Sequence, residues 1–469
     1  VRNRLVPCTF PANSSQASSP FIRRFAAFVF LHSRHMCCSS ISQKDFVDRS
    51  ALGVLQLERL QRIVRHAYEH SPFYTKAFDA LGLKPEEIRS LDDIAKLPFT
   101  QKTDLRDNYP YGLNAVPLKE VVRLHASSGT TGKPIVVSYT QEDLEVWSET
   151  AARVFLMGGV TPDDIAVIGY GYSLFTGGMG AHQGMERIGA TVIPQGGGNT
   201  EKLCMLIQDL GVTTMCCTPS YFIHTMEVAE KLGMDLKKST LKHGFFGAEP
   251  WTEEMREHIE TSTGIKADDI YGLSEIMGPG VAGSCEARTG LHIFEDHYYP
   301  EIVDPATGRQ LPPGEEGELV LTTLDKWAMP LLRYRTHDIT SLSYEKCRCG
   351  RTIVRMSPIR RRSDDMLIIR GVNLFPSQVE ALLFTIKGVV PHDELVVTRE
   401  GAMDELEVRV EVTPELFGDQ VSVLEALRRE IYGKIKGMIG ISCKVTLVEP
   451  GAIARSNGKT RHVIDKRKK

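Results

Sequence analysis

A run of hydroxyl-bearing residues and glycines, Ser127-Ser128-Gly129-Thr130-Thr131-Gly132-Lys133-Pro134, separates two strand-like stretches, Val121–Ala126 and Ile135–Tyr139. Glycine lets the backbone come close to a ligand and adopt positive φ. Amides and hydroxyls then converge on anionic oxygens, and the lysine adds a point charge. Such a loop suits a polyphosphate. It is not a Walker loop, because GxxxxGK[ST] leading into a helix is absent. Taken alone, the stretch also reads as a plain polar turn.

A loop of this kind needs a sheet behind it, and the chain supplies alternating elements. Strands are expected at Asp164–Tyr170, Ala190–Pro194, Thr213–Cys217 and Leu241–Phe246, and helices at Gly177–Ile188, Thr200–Leu210 and Tyr221–Leu232. That alternation predicts βαβ units on a mostly parallel sheet. Ligands in such sheets sit beyond the carboxyl ends of strands. Thr140 to Asp143 forms a capping pattern opening a helix over 141–157, with Leu144, Trp147, Thr150 and Ala151 inward. Upstream, Leu57, Leu60, Val64, Ala67 and Tyr68 recur at helical spacing until Ser71-Pro72 breaks the helix.

Two strand-to-loop junctions carry ligand-type groups: Gly247-Ala248-Glu249-Pro250 and Asp269-Ile270-Tyr271-Gly272-Leu273-Ser274-Glu275. An aromatic followed by glycine and a hydroxyl can stack a base and reach a phosphate. A nearby carboxylate can hold Mg²⁺, which takes oxygen ligands. From Pro300 the pattern becomes β-rich, with strands expected at Glu301–Val303, Gly317–Leu321 and Met329–Tyr334. In Arg333-Tyr334-Arg335-Thr336-His337-Asp338 the carboxylate can accept both hydroxyls of a ribose; a strand-end salt bridge is the alternative. Ser363-Asp364-Asp365 marks a boundary, after which strands and helices predict a compact α+β domain. That domain ends in Ala454-Arg455-Ser456-Asn457-Gly458-Lys459-Thr460, a flexible turn with a lone lysine.

The expected organisation is therefore α/β: a large domain over 45–363 and a small one over 364–469. Residues 1–44 stand apart, with six Lys/Arg and no Asp or Glu. A transit peptide, a signal-like segment and an upstream stretch that is never made all fit; a misplaced start or a disordered tail is favoured. At 469 residues the chain exceeds one ordinary domain. A net charge of −3 gives no general pull toward nucleic acid. No apolar run is long enough to span a membrane. Ten scattered cysteines do not form a secreted disulfide framework. A reducing, cytoplasmic setting is expected.

The ordered set of the 127–133 loop, Gly247–Pro250, Tyr271–Glu275, Arg333–Asp338, the Ser363–Gly371 segment and the Lys459 turn resembles the adenylate-forming ligases. Within them, Tyr172–His182, Leu291-His292-Ile293 with Glu295-Asp296-His297, and Asp365–Val379 resemble the phenylacetate–CoA ligase family. The resemblance implies a two-step reaction. A carboxylate attacks the α-phosphorus of ATP, giving an acyl-adenylate and pyrophosphate; CoA thiolate then attacks the acyl carbon and expels AMP. Ser127, Ser128, Gly129, Thr130, Thr131, Gly132 and Lys133 would hold the β- and γ-phosphates. Ala248, Glu249 and Pro250 would line the adenine side, Tyr271 would stack on adenine, and Asp269, Ile270 and Gly272 would complete that junction. Ser274 would reach the α-phosphate, Glu275 would bind Mg²⁺, and Asp338 would take the ribose hydroxyls with Arg362 beside it. Lys459 would reach the α-phosphate in the first step and be removed by rotation of the small domain about Asp364. Two positions depart from the family pattern: Arg361 stands where Gly is usual, and Ala454 where Pro is usual.

Tyr172, Phe175, Gly178, Phe245 and Pro279 are candidates for the aryl pocket by their position near these loops, with core packing the alternative. Cys347-Arg348-Cys349-Gly350 cannot complete a tetrahedral zinc site alone. With Cys285 and His292 it would make a Cys₃His site stapling two β-rich hairpins; reduced thiols are the alternative. The expected partners are an aryl carboxylate, ATP and CoA, with no nucleic acid and no membrane, and a homodimer would fit. Two other functions fit the same motifs: adenylation with another acceptor, such as a carrier-protein thiol or a deazaflavin, and ATP binding without catalysis.

Overall fold

The computed structural model describes residues 43–127, 134–359, 361–363, 367–369, 372–374, 376–400, 403–417, 421–454, 463–467. Residues 1–42, most of the glycine-rich loop (128–133), Asp364 and Lys459 lie outside the described residues.

The first long helix, Arg49–His70, is capped by Asp48, which accepts from the Ser50 amide. It stops at Ser71, whose extended backbone is what a residue before proline favours. Pro72 then opens helix Pro72–Leu81 at a position where no N–H is needed. The buried stripe of the first helix runs through Leu52, Gln56, Leu60, Ile63, Val64 and Ala67. Leu57 and Tyr68, expected inward, are only half-buried. The helix is rotated so that Gln56 faces inward, because its side chain donates to the Glu295 carbonyl at 3.0 Å.

Strands Arg123–Ser127 and Ile135–Tyr139 pair antiparallel, with Ser127 opposite Ile135. The glycine-rich run thus connects a hairpin. Helix Gln141–Gly158 starts with the expected capping box: Thr140 Oγ1 accepts from the Asp143 amide at 3.1 Å, and Asp143 accepts from the Thr140 amide at 2.8 Å. Leu144, Trp147, Thr150 and Ala151 are buried as expected.

Among the described residues the largest sheet has nine strands. Its parallel half runs Thr191–Ile193, Ile165–Ile168, Thr214–Cys217, His243–Gly247, Lys266–Leu273. From there it continues antiparallel through Gly278–Ser284, Leu291–Ile293, Arg355–Met356 and Leu342–Ser343. Helices Gln141–Gly158 and Gly177–Ile188 pack on one face, and Thr200–Asp209, Pro219–Lys231 and Glu253–Thr263 on the other. Side chains alternate between the two cores with period two. Phe245 meets Phe155 edge-on at 4.9 Å on one face, while Phe246 meets Phe222 and Trp251 on the other. Burying each such ring contributes about 1.5–3 kcal/mol.

A second, four-stranded antiparallel sheet contains Tyr298–Val303, Gly317–Thr323, Tyr334–Thr340 and Arg361–Arg362. The strand expected over 329–334 does not form; the strand begins at Tyr334. Arg333 has φ +45°, and side chains intercept the amides before it: Leu331 and Arg333 donate to Thr323 and Thr322 hydroxyls, and Leu332 to the Tyr74 hydroxyl.

The C-terminal part has its own core and a four-stranded sheet ordered Lys444–Val448, Met403–Val412, Val389–Glu400, Val463–Asp465. Helices Pro376–Phe384 and Val421–Ile439 cover it. Val389–Glu400 and Met403–Val412 pair antiparallel as one long hairpin. This part meets the larger one where Phe384 packs against the second core and His392 Nε2 lies 3.1 Å from Glu227 Oε1. No helix of the described residues is long and apolar enough to cross a membrane.

Candidate active site

Strands His243–Gly247 and Lys266–Leu273 end side by side, with Gly247 opposite Ile270. Only glycine fits at two points here. A Cβ on Gly247 would lie 2.1 Å from the Ile270 carbonyl oxygen, and one on Gly272 would lie 1.8 Å from that of Gly278. The chain then turns sharply at Ala248, which sits at φ +71°. Strain of this kind in a non-glycine residue clusters at functional sites. The next side chain, Glu249, accepts from the Ser220 amide at 2.9 Å, at the first turn of helix Pro219–Lys231. Its carboxylate therefore anchors the Gly247–Pro250 junction. Asp269 is half-buried, its amide donating to Ser284 Oγ at 2.7 Å, and Ile270 is buried in the core.

Tyr271 connects the two sheets. Its hydroxyl donates to Asp338 Oδ2 at 2.6 Å, and Arg362 Nη1 donates to Asp338 Oδ1 at 2.7 Å. Asp338 is 4% exposed and stands opposite Arg362 in the strand register. A carboxylate offers about four lone-pair positions, and these two donors approach one oxygen each. Next to it His337, at φ +64°, holds Ser363: its Nδ1 lies 3.1 Å from Ser363 Oγ, and its carbonyl accepts the Ser363 amide at 2.8 Å. The segment leading to Asp364 is thus tied to the strand that carries Asp338.

Beyond Gly272 the chain makes a turn that presents Ser274 and Glu275, both nearly buried. Ser274 Oγ is 2.9 Å from Thr176 Oγ1. The Tyr139 hydroxyl lies 3.3 Å from the carbonyls of Ser274 and Met277. Glu275 Oε1 is 3.6 Å from Lys102 Nζ, a loose ion pair. The Glu275 carbonyl accepts from Lys326 Nζ at 2.8 Å. Lys326 is wholly buried, and burial pushes its pKa down to about 7 against the pull of Asp143 and Glu275. Its ammonium sits over the Tyr139 ring at 5.1 Å.

The loop around Tyr172 lies against the hairpin that bears the glycine-rich run, since the Leu174 carbonyl accepts from the Ala126 amide at 2.8 Å. The five aryl-pocket candidates separate. Tyr172 is half-buried with its hydroxyl 3.1 Å from His182 Nδ1, and Phe175 is half-buried. Gly178 is packed so that a Cβ would meet the Gly171 carbonyl at 2.6 Å, and Pro279 accepts from Trp147 Nε1 at 2.9 Å. Phe245 instead lies in the core under Phe155, fully buried, because strand alternation turns it away from the loop end.

Sequence reasoning missed Lys102, Tyr139, Thr176 and Lys326. Nothing in their local patterns marks them; each reaches the site from a distant part of the chain. Away from this groove Cys285, His292, Cys347 and Cys349 also converge.

Residues 63–324 match the AMP-binding enzyme family, and 371–467 match the AMP-binding enzyme C-terminal domain. The phenylacetate-coenzyme A ligase of Thermus thermophilus is 52% identical over 434 residues, covering 90% of this chain and 98% of that one. The phenylacetate-coenzyme A ligase of Aromatoleum evansii is 53% identical over 421 residues, covering 89% and 95%. The chain belongs to the phenylacetate–coenzyme A ligase family of AMP-binding enzymes. Among solved structures, 2-hydroxyisobutyryl-CoA ligase in the postadenylation state, in complex with R3-HIB-AMP, matches with a TM-score of 0.85. That match is 31% identical and covers 90% of this chain and 91% of the other. The same ligase with 2-HIB-AMP and CoA in the thioesterification state matches at 0.67, with 32% identity and coverage of 91% and 92%. This member of the ligase family is thus arranged more like the postadenylation state. Asp338 and Arg362 fall between the two family segments, where strands Tyr334–Thr340 and Arg361–Arg362 pair.

Proposed function

We propose that this chain ligates phenylacetate, or a closely related aryl acid, to CoA with ATP, through an acyl-adenylate, releasing AMP and pyrophosphate. One observation carries the reading: Tyr271, Asp338 and Arg362 are joined by hydrogen bonds directly beside the Ser274-Glu275 turn.

The chemistry requires two anions, a carboxylate and a triphosphate, to approach. Tyr271 offers a ring face for adenine, with Ala248, Glu249 and Pro250 lining that side. Asp338, paired with Arg362, takes the ribose hydroxyls. Together they orient the nucleotide so that the α-phosphate lies at the Ser274 hydroxyl, which Thr176 holds. Ser127 to Lys133 cradle the β- and γ-phosphates. The Glu275 carboxylate, 5% exposed and only loosely paired with Lys102, fits a hard cation that takes oxygen ligands. Mg²⁺ held there would offset phosphate charge. The substrate carboxylate attacks the α-phosphorus, the α–β bridging bond breaks, and pyrophosphate leaves. Lys459, on the mobile domain 364–469, reaches the α-phosphate oxygens in this step. Rotation about Asp364 relative to the domain 45–363 then withdraws Lys459 and admits CoA, whose thiolate attacks the acyl carbon and expels AMP. Closing the groove keeps the adenylate from water. Tyr172, Phe175, Gly178 and Pro279 line the aryl end, and the enzyme works in the cytoplasm.

The test is pyrophosphate release with ATP and Mg²⁺ across aryl and short-chain acids, with and without CoA. Release with phenylacetate that turns over only with CoA is expected. No release with any acid would overturn the proposal.

A further inference from the structure

We propose that Cys285, His292, Cys347 and Cys349 bind one zinc ion in a closed, structural Cys₃His site. This goes beyond the ligase reaction and does not depend on it. The ligand atoms of all four side chains lie within 4.8 Å of one another. Two edges of the cluster are specific. Cys285 Sγ is 3.8 Å from Cys347 Sγ, and Cys349 Sγ is 3.5 Å from His292 Nε2. Around tetrahedral zinc, bonds of about 2.3 Å to sulfur and about 2.0–2.1 Å to nitrogen place two sulfurs about 3.8 Å apart and sulfur and nitrogen about 3.5 Å apart. Both edges have the length that a shared zinc imposes. A disulfide would bring the sulfurs to about 2.05 Å, and all four of the cluster's groups are instead separate, with three free thiols.

The surroundings prepare the ligands. His292 Nδ1 lies 3.0 Å from the Ile353 carbonyl. A carbonyl only accepts, so Nδ1 carries the hydrogen and the Nε2 lone pair points at Cys349. Metal-bound histidines are held in this way by an outer partner. Thr289 Oγ1 lies 3.5 Å from Cys347 Sγ, and Arg355 Nη1 donates to the Thr289 carbonyl at 3.1 Å. Three thiolates and a dication leave one net negative charge, and the cationic Arg355 stands opposite His292 in the strand register. Cys285, His292 and Cys347 are buried and Cys349 is half-buried. Four protein ligands leave no open position, which marks a structural rather than a catalytic zinc.

The placement says what the ion would do. Cys285 follows strand Gly278–Ser284, and His292 lies in Leu291–Ile293. Cys347 and Cys349 sit in the turn between Leu342–Ser343 and Arg355–Met356, with Gly350 at φ +88° closing it. Those last two strands are two residues each and form the outer edge of the nine-stranded sheet. So few ladder bonds hold a sheet edge weakly, and zinc would pin that edge to the interior strands.

The full chain, made in metal-replete medium without a metal-affinity tag, should carry about one zinc per chain by elemental analysis. C347S and C349S should lower that content at least fivefold, while C204S, outside the cluster, keeps it. Exchange of the unaltered protein with Co²⁺ is the second measurement, independent of how the variants fold. Intense thiolate-to-cobalt absorption with a tetrahedral ligand-field band is expected. Zinc-free protein whose thermal midpoint does not move on chelation, or cobalt bound without thiolate absorption, would overturn the site. So would a Cys285–Cys347 disulfide in protein purified under reducing conditions.

Discussion

The Tyr271 hydroxyl and the Asp338 carboxylate meet at 2.6 Å, across 67 positions of chain, and join the nine-stranded sheet to the four-stranded one. A group suited to a base and a group suited to a ribose are thereby held as one unit.

Tyr271→Phe keeps the ring and removes the tie. A hydrogen bond to a charged group contributes about 1.5–3 kcal/mol, so KM for ATP should rise roughly tenfold or more. Steady-state kinetics at saturating acid and CoA would show it. An unchanged KM would mean that the pair only holds the sheets together.

Lys326→Met removes the buried donor to the Glu275 carbonyl while keeping the side chain's length. Loss of one charge-assisted bond, about 1.5 kcal/mol, should slow adenylate formation about tenfold. The same variant has a pH signature. The folded-state pKa of Lys326 is lowered to about 7, whereas the unfolded lysine holds its proton to about 10.4. Between those values the unfolded chain binds more protons, so this group makes stability rise with pH. Denaturation midpoints of wild type minus variant should therefore increase from pH 7 to pH 10. A difference that stays flat over that window would place the lysine's charge state elsewhere.

Glu227→Ala breaks the contact with His392, which lies between the large part and the C-terminal part. The arrangement that contains this contact is the one closer to a postadenylation state. Adenylate formation should slow relative to thioester formation from supplied acyl-adenylate. A part-buried pair contributes about 1 kcal/mol or less, so the ratio should shift by about fivefold at most. Equal effects on both half-reactions would remove the contact from the domain cycle.

Lys459→Ala should suppress adenylate formation by several orders of magnitude yet spare the second half-reaction. Single-turnover assays of each half separate the two. Equal loss in both would refute a role confined to the first step.

Where the decisive contacts are local, the sequence was legible. The Thr140–Asp143 box, the break at Ser71-Pro72 and the two strands flanking the glycine-rich loop involve residues close in the chain. Hydrophobic periodicity likewise located most helices and the parallel strands. The junctions at Gly247–Pro250 and Tyr271–Glu275 stood out because glycines and hydroxyls cluster there for backbone reasons that any occupant must obey.

Other features needed partners from far away. Asp143 reads as a cap, but its carboxylate also accepts the amides of Trp327 and Ala328, 184 and 185 positions on. Lys326 looks like any surface lysine until the Glu275 carbonyl, 51 positions back, buries it. Phe245 and Phe246 are indistinguishable in composition, and only the face of the sheet decides that neither reaches the groove. The stretch 329–333 has strand propensity, yet Thr322, Thr323 and Tyr74 take its amides first. The sequence by itself therefore determined the elements, their order and the groups able to meet a nucleotide. Only the tertiary structure decided which of those groups meet, because hydrogen bonds and burial depend on distance in space, which local spacing does not encode.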